Sequence, residues 1–323
     1  MPKPILLSTG IQMPIVAEGL EKTFEVHWLN KAADPKQLLA GIAPKVTAIC
    51  TGAHTGVKTD ADMIGQMPNL KIIGNLGVGY DSIDIATAAE RGIVITNTPD
   101  VLNEEVADTA LGLLLSTVRE LPQAEAYMRA GRWAKEGDYP LTGSLRDRKV
   151  GMIGFGRIGK AIARRLEAFG VPVSYFGRTR QAGVANRFYS DLVAMARDVD
   201  TLIAILPGGA ATKHIVNAGV LAALGPRGVF INMARGSILD EAALKAALRA
   251  KTIHAAGLDV YASEPNFDPD LLTLPSLVLL PHVGSASQLT RNRMGQLVVD
   301  NLAAFAAGKP PPTPVPETPF KTW

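Results

Sequence analysis

The sequence predicts an α/β protein built on parallel sheets, in two doubly wound domains. Short runs rich in β-branched residues alternate with Ala- and Leu-rich stretches of helical period. Strand and helix alternating at that spacing require crossover connections, and therefore parallel pairing. The alternation comes in two series joined by one long helical stretch that begins near Asn103. At roughly 100–200 residues per domain, the 323 residues, 47% of them apolar, supply two packed cores.

In the first series, residues 5–7, 46–50, 71–75 and 93–96 are predicted strands, with helices near 15–22, 35–42, 60–67 and 84–91. Gly92 after Glu90 and Arg91 suits a helix terminator. The long helix runs from Asn103 to about Arg119; Asn103 can cap it, and Glu104 and Glu105 suit the positive end of its dipole. Residues 129–147 are polar and Gly-rich and are predicted irregular. The second series has strands at 149–154, 171–176, 201–206, 228–233, 254–259 and 277–280, with helices near 157–169, 190–197, 217–224, 240–250 and 286–307. Six prolines in 310–319 exclude helix and central strand there, so this tail is expected to lie extended over the surface.

Composition excludes several function classes. Thirty-three Lys and Arg against thirty Asp and Glu leave a charge of +3, too small for a nucleic-acid footprint. One cysteine, Cys50, rules out an internal disulfide and a Cys-based zinc cluster, and fits a reducing cytoplasm. His27, His54, His214 and His254 show no metal-ligand spacing, so no metal site is expected. No apolar run reaches the length of a membrane span, and no signal-peptide core forms before Pro14. These features predict a soluble cytoplasmic protein without membrane or nucleic-acid partners.

The strongest motif is Gly154-Phe155-Gly156-Arg157-Ile158-Gly159, which follows a buried-type strand and opens a helix. In that context G-x-G-x-x-G is a dinucleotide turn. Gly154 permits the tight turn, Gly156 admits the pyrophosphate, Gly159 lets helix and strand pack closely, and the helix N-terminus supplies N–H donors. An NAD-binding unit usually carries Asp or Glu about twenty residues further on, to accept from the ribose 2′-OH. Here that place holds Gly177, Arg178, Thr179 and Arg180, with no acid nearby. Two guanidinium groups and a hydroxyl suit a 2′-phosphate, so NADP(H) is expected in preference to NAD(H).

Three later segments each put a reactive polar residue just beyond a predicted strand, where ligands bind in open α/β sheets. They are Asn232-Met233-Ala234-Arg235-Gly236, Asp259-Val260-Tyr261-Ala262-Ser263-Glu264-Pro265, and Pro281-His282-Val283-Gly284-Ser285. Singly, Arg235 reads as a surface cation, Glu264 as a turn residue and His282 as a satisfied histidine. Together they offer a cation, a carboxylate and an imidazole, which suits hydride chemistry at a carbonyl.

With these motifs and Gly77-Val78-Gly79, the chain resembles the D-2-hydroxyacid dehydrogenase family over almost its whole length. Its basic turn makes it most similar to glyoxylate/hydroxypyruvate reductases. The resemblance implies a flavodoxin-like substrate domain (1–100 and 287–323) and a Rossmann NADP-binding domain (101–286), with the active site between them. It also implies reduction of small 2-keto acids to D-2-hydroxy acids. His282 would be the general acid/base, Glu264 would hold its far ring nitrogen, and Arg235 would bind the carboxylate and keto oxygen. Leu76, Gly77, Val78 and Gly79 would form the substrate loop, the N–H groups of Val78 and Gly79 taking the carboxylate. Leu206, Pro207 and Thr212 would flank the cofactor's ribose and pyrophosphate; Met233, Ala234, Asp259, His282 and Ser285 would complete its site. Thr109 reads either as a neighbour of the nicotinamide or as a helical threonine bonded back to its own turn. The same resemblance implies a homodimer, with Trp133 reaching toward the partner subunit.

Two rivals stay open. One is another member of the family, acting on D-lactate, 2-ketogluconate or 3-phosphoglycerate; the other is a binding protein that senses nicotinamide cofactors, like the corepressors that share the fold.

Overall fold

A computed structural model of the chain describes residues 2–52 and 57–321; His54 lies outside the described residues. The chain divides into two compact units, one of 1–102 with 287–323 and one of 103–286. The first contains β1 (Ile5–Ser8), α1 (Pro14–Thr23), β2 (Glu25–Trp28), α2 (Pro35–Ile42), β3 (Val46–Cys50), α3 (Ala61–Gly65), β4 (Ile72–Gly74), α4 (Ile85–Glu90) and β5 (Val94–Thr96). The helix Gln288–Ala306 completes it. Its strands are all parallel, in the order β2-β1-β3-β4-β5, which is the flavodoxin-like order. Helices cover both faces of such a sheet, so its inner strands are largely apolar: Leu6, Leu7, Val46, Ile49, Ile72 and Ile73 are all buried. Local signals start the helices. Asp34 accepts from the N–H groups of Lys36 and Gln37 ahead of α2, and Asp84 from Thr87 ahead of α4.

The second unit contains α5 (Asn103–Val118), α6 (Leu121–Arg129), α7 (Arg132–Glu136), β6 (Val150–Ile153), α8 (Arg157–Ala168), β7 (Val173–Phe176), β8 (Arg187–Tyr189), α9 (Leu192–Asp198) and β9 (Thr201–Ala204). It continues with α10 (Ala218–Leu224), β10 (Val229–Asn232), α11 (Glu241–Arg249), β11 (Ala255–Leu258) and β12 (Leu277–Leu279). All strands are parallel, in the order β12-β11-β10-β9-β6-β7-β8. Counted within the unit, this is the Rossmann order 3-2-1-4-5-6 with one strand added. The order reverses between β6 and β9, so ligands are expected beyond the carboxyl ends of those two strands. α5 lies against β11 so closely that a Cβ on Gly257 would stand 2.6 Å from Thr117 Oγ1. Among the described residues, no helix is long and apolar enough to cross a membrane.

Three local expectations need correction. β2 and β8 were not predicted; both are short edge strands with polar residues, Glu25 and His27 in one and Arg187 in the other. Residues 129–147 are not wholly irregular, because α7 forms there. An Arg132–Glu136 ion pair one turn apart holds it, and the Arg132 guanidinium lies 4.5 Å from the Tyr127 ring centroid. The proline-rich tail is a strap rather than a surface covering. Pro314 bridges antiparallel to Thr96, Val315 donates to Ile95 O, and Thr318 Oγ1 accepts from Ile95 N. Val315 and Thr318 are buried beside β5, because proline bars ladder donation at some positions and not at the valine between them.

Candidate active site

The glycine turn sits at the switch point of the second unit. Gly154 has φ +96°, and a Cβ there would lie 2.6 Å from Ile205 O, so only glycine fits. Gly156 is different, because apart from its own atoms and those of its chain neighbours nothing in the protein comes within 4 Å of where its Cβ would be. The space at Gly156 lies open at the N-terminus of α8, as a pyrophosphate cradle requires. The chain after β9 closes over the turn: Leu206 Cβ approaches the Gly154 position, and Thr212 Oγ1 donates to Pro207 O at 2.9 Å.

The basic turn is fixed beside it. Gln181 donates its backbone N–H to the Tyr175 hydroxyl (2.9 Å) and its side-chain amide to Phe155 O (2.8 Å), while the rings of Phe155 and Tyr175 stack at 4.5 Å. Arg178, Thr179 and Arg180 are exposed. Among the described residues neither guanidinium pairs with a carboxylate.

The ends of β10, β11 and β12 converge on one constellation. Asn232, fully buried, accepts from Ala234 N and donates to Arg235 O, which sets the turn carrying Arg235. The next residue, Gly236, packs on the backbone of Tyr261. Tyr261 donates its N–H to Glu264 Oε1 (2.9 Å), and Glu264 Oε2 meets His282 Nδ1 at 2.7 Å. The Tyr261 hydroxyl donates to Leu280 O at 2.8 Å, tying β11's exit to β12's. Burial pushes that hydroxyl's pKa well up, so it stays a neutral donor.

His282 has φ +53°, in the sparsely populated left-handed region. Asp259 holds that turn: its carboxylate, 2% exposed, accepts from Val283 N at 2.7 Å and Gly284 N at 2.8 Å. Burial raises the Asp259 pKa, against the pull of those two donors. Thr109 Oγ1 donates across from α5 to Gly284 O at 3.2 Å, so this threonine is not bonded back to its own helix; Thr117 is, to Leu113 O. Met233 and Ala234 are buried, with Met233 Cε near the Gly284 position, and Ser285 follows half-buried.

In the first unit, the loop Leu76–Gly79 leaves β4. Thr51 Oγ1 donates to Asn75 Oδ1 and accepts from Leu76 N, while Asn75 Nδ2 donates to Gly77 O and Gly79 O. Gly77 takes φ +152°, which favours glycine. Among the described residues, no group accepts from the N–H of Val78 or Gly79.

Sequence reasoning named the reactive residues and missed their supports: Asn232, Tyr261, Asn75 and Thr51. For Asn232, Tyr261 and Asn75 the signal was a place in or beside a motif, Asn232 opening the Arg235 segment and Asn75 preceding the glycine-flanked loop; Thr51, distant in sequence, carried none. Elsewhere, His27 meets Glu25 at 3.2 Å and His254 is exposed. Trp133 is exposed and donates to Asp138. No group of three or more metal-ligating side chains gathers among the described residues.

The model of the D-isomer specific 2-hydroxyacid dehydrogenase NAD binding domain matches residues 111–284. Glyoxylate/hydroxypyruvate reductase A HPR2 of Arabidopsis thaliana is 43% identical, over 92% of this chain and 94% of its own length. The 2-ketogluconate reductase of Gluconobacter oxydans is 40% identical, over 97% and 99%. Among solved structures, the NADPH-dependent glyoxylate/hydroxypyruvate reductase SmGhrB of Sinorhizobium meliloti, in complex with NADP and malonate, is 52% identical. It superposes with a TM-score of 0.93 over 99% of this chain and 98% of that one.

Proposed function

Since the chain belongs to the D-isomer specific 2-hydroxyacid dehydrogenase family, we propose that it reduces small 2-keto acids, hydroxypyruvate and glyoxylate above all, to D-2-hydroxy acids with NADPH. The observation that carries this is the 2.7 Å pair of His282 Nδ1 and Glu264 Oε2, in a unit that also holds the glycine turn.

The turn at Gly154–Gly159 fits a dinucleotide, because the space beside Gly156 is what a pyrophosphate fills. Bound there, a reduced nicotinamide cofactor supplies the hydride for the keto carbon. His282 donates a proton from Nε2 to the keto oxygen, and in the reverse direction takes the hydroxyl proton there. Glu264 accepts from Nδ1–H, which fixes the tautomer and the ring's aim. Arg235 binds the substrate carboxylate and stabilises charge growing on the keto oxygen. The N–H groups of Val78 and Gly79 also bind the carboxylate, as outward-facing donors of a short nest. Thr109, Met233, Ala234, Asp259 and Ser285 serve the nicotinamide end; Arg157, Leu206, Pro207 and Thr212 serve the pyrophosphate and ribose.

Preference for NADPH is supported by Arg178, Thr179 and Arg180, an exposed basic turn without an acid. We further propose a homodimer in the cytoplasm. Its support is the exposure of Leu121, Met128, Trp133 and Leu141 along one segment, and a lone cysteine suited to a reducing compartment.

The test follows nicotinamide absorbance with NADPH and NADH separately against hydroxypyruvate, glyoxylate, pyruvate and 2-ketogluconate. NADPH oxidation with the first two acids is expected, and its collapse in His282→Ala with cofactor binding retained. Preference for NADH refutes the basic-turn reading alone. Full turnover by His282→Ala refutes the acid/base assignment, and no turnover with any keto acid favours the sensing protein.

A further inference from the structure

All three carbonyls of the loop after Leu76 are turned inward. Gly77 O accepts from Thr98 N and Asn75 Nδ2, Gly79 O from Asn75 Nδ2, and Val78 O from Asn97 Nδ2 at 2.9 Å. A peptide plane carries one residue's carbonyl and the next residue's N–H, so the donors on Gly77 O turn the Val78 N–H outward and Asn97 on Val78 O turns the Gly79 N–H outward. Asn75 lies beside the loop in sequence, whereas Asn97 reaches it from the end of β5, and its own placement comes from elsewhere. Asn97 N donates to Thr313 O, and Thr313 Oγ1 donates to Asn97 O at 2.7 Å. Thr313 in turn is fixed by Asn301, a fully buried residue of the helix Gln288–Ala306. Asn301 Oδ1 accepts from Thr313 N and its Nδ2 donates to Thr313 Oγ1. A second tie lies just past the loop, where the Tyr80 hydroxyl donates to Glu317 of the strap at 3.2 Å.

We propose that Asn97 is a positioning residue for the carboxylate-binding loop, and that the strap Thr313–Thr318 sets it there through Thr313. This rests on the reading of the Val78 and Gly79 N–H groups as carboxylate donors. The Thr313 hydroxyl bond to Asn97 O, with the Asn301 side-chain pair that fixes Thr313, exceeds what covering a strand edge requires. Loss of the Asn97 amide frees the Val78 peptide to rotate, so the anion site loosens while the unit stays folded.

The test uses the full chain with 15N-labelled valine and glycine, titrated with oxamate, an unreactive 2-keto acid mimic, in the presence of NADP+. In the unsubstituted protein the Val78 and Gly79 amide resonances are expected to shift. Asn97→Ala, which keeps the backbone bonds to the strap, is expected to weaken oxamate binding and raise KM for hydroxypyruvate by about 3- to 10-fold, the worth of one net hydrogen bond. KM for NADPH should not move, a split that a merely structural role would not give. Thr313→Val is expected to shift the same two quantities in the same direction. Unchanged oxamate affinity in Asn97→Ala overturns the positioning role while leaving the loop reading intact. An effect of Asn97→Ala without one of Thr313→Val overturns the strap's part. If neither amide shifts in the unsubstituted protein, the loop reading fails and the proposal with it. Should Asn97→Ala not fold, Asn97→Ser, whose hydroxyl is too short to reach Val78 O, is read by the same criteria.

Discussion

Asp259→Asn sets two opposing effects against each other at the His282 turn. The buried carboxylate accepts from Val283 N and Gly284 N at 2.7 and 2.8 Å. Asparagine keeps the shape and one acceptor, but points an NH2 at the second donor. Losing one charge-assisted bond costs about 1.5–3 kcal/mol, and the N–H left unsatisfied adds about 1–3 kcal/mol. Against that, the substitution removes a buried charge, the effect that holds the Asp259 pKa above its ordinary value. Two short direct bonds outweigh it, and we expect a net loss of about 2 kcal/mol. In a unit the length of Asn103–Ala286 that lowers Tm by about 4–8 °C, measured by circular dichroism at pH 7. The pH dependence has a definite sign. A raised folded-state pKa means the native protein takes up the proton before the unfolded chain does. This group therefore makes the wild type more stable as pH falls through the raised value, with no further gain below the ordinary one. Asparagine does not titrate, so the gap between the two proteins widens toward acid. A variant that melts at or above the wild type at pH 7 refutes the reasoning, since the cost of the buried charge would then be the larger effect. A gap that narrows toward acid refutes the direction of the shift.

Other expectations follow from single residues. Gly236→Ala would place its Cβ 1.8 Å from the Tyr261 carbonyl carbon and oxygen, a clash with backbone that no rotamer relieves. It should cost about 3 kcal/mol or more, seen as a lower denaturant midpoint; an unchanged midpoint would show that the two turns pack more loosely. Cys50 is fully buried, and burial pushes its thiol up to about 12, so the native protein should resist iodoacetamide at pH 8 and react fully once denatured, as read by mass spectrometry. Complete alkylation of native protein within minutes would contradict this.

What the sequence made legible was local. The alternation of strands and helices survives because inner parallel strands are buried on both faces and are apolar, as Val150–Ile153 is throughout. The dinucleotide turn was readable because Gly154 and Gly156 answer constraints within a few residues. Edge strands escape that logic: Arg187–Tyr189 has one open side and tolerates an arginine. The strap was illegible for another reason, since Val315 finds its partner Ile95 far away in sequence and proline content says nothing of that pairing. The same distance hid Asn97. An asparagine after a strand reads as a turn residue, and only the folded chain shows its amide on Val78 O. Around His282, the reactive residue was named by type, but the support given by Asp259 and Tyr261 is a matter of where three strands end.

The division of the chain also bears on how it is made. The unit 103–286 is continuous and has all its strands once residue 286 has emerged. The other unit has its five strands early, but the open edge of Val94–Thr96 waits for residues 314–318. Ile95 and the hydroxyl that accepts from it are 223 positions apart. At about 5–20 residues per second, that edge waits about 10–45 s for its cover during synthesis. Throughout that interval the nascent chain displays an apolar strand with unpaired N–H and C=O groups, a template for intermolecular pairing. The hazard is set by the spacing of strand and strap along the chain rather than by the stability of the finished fold.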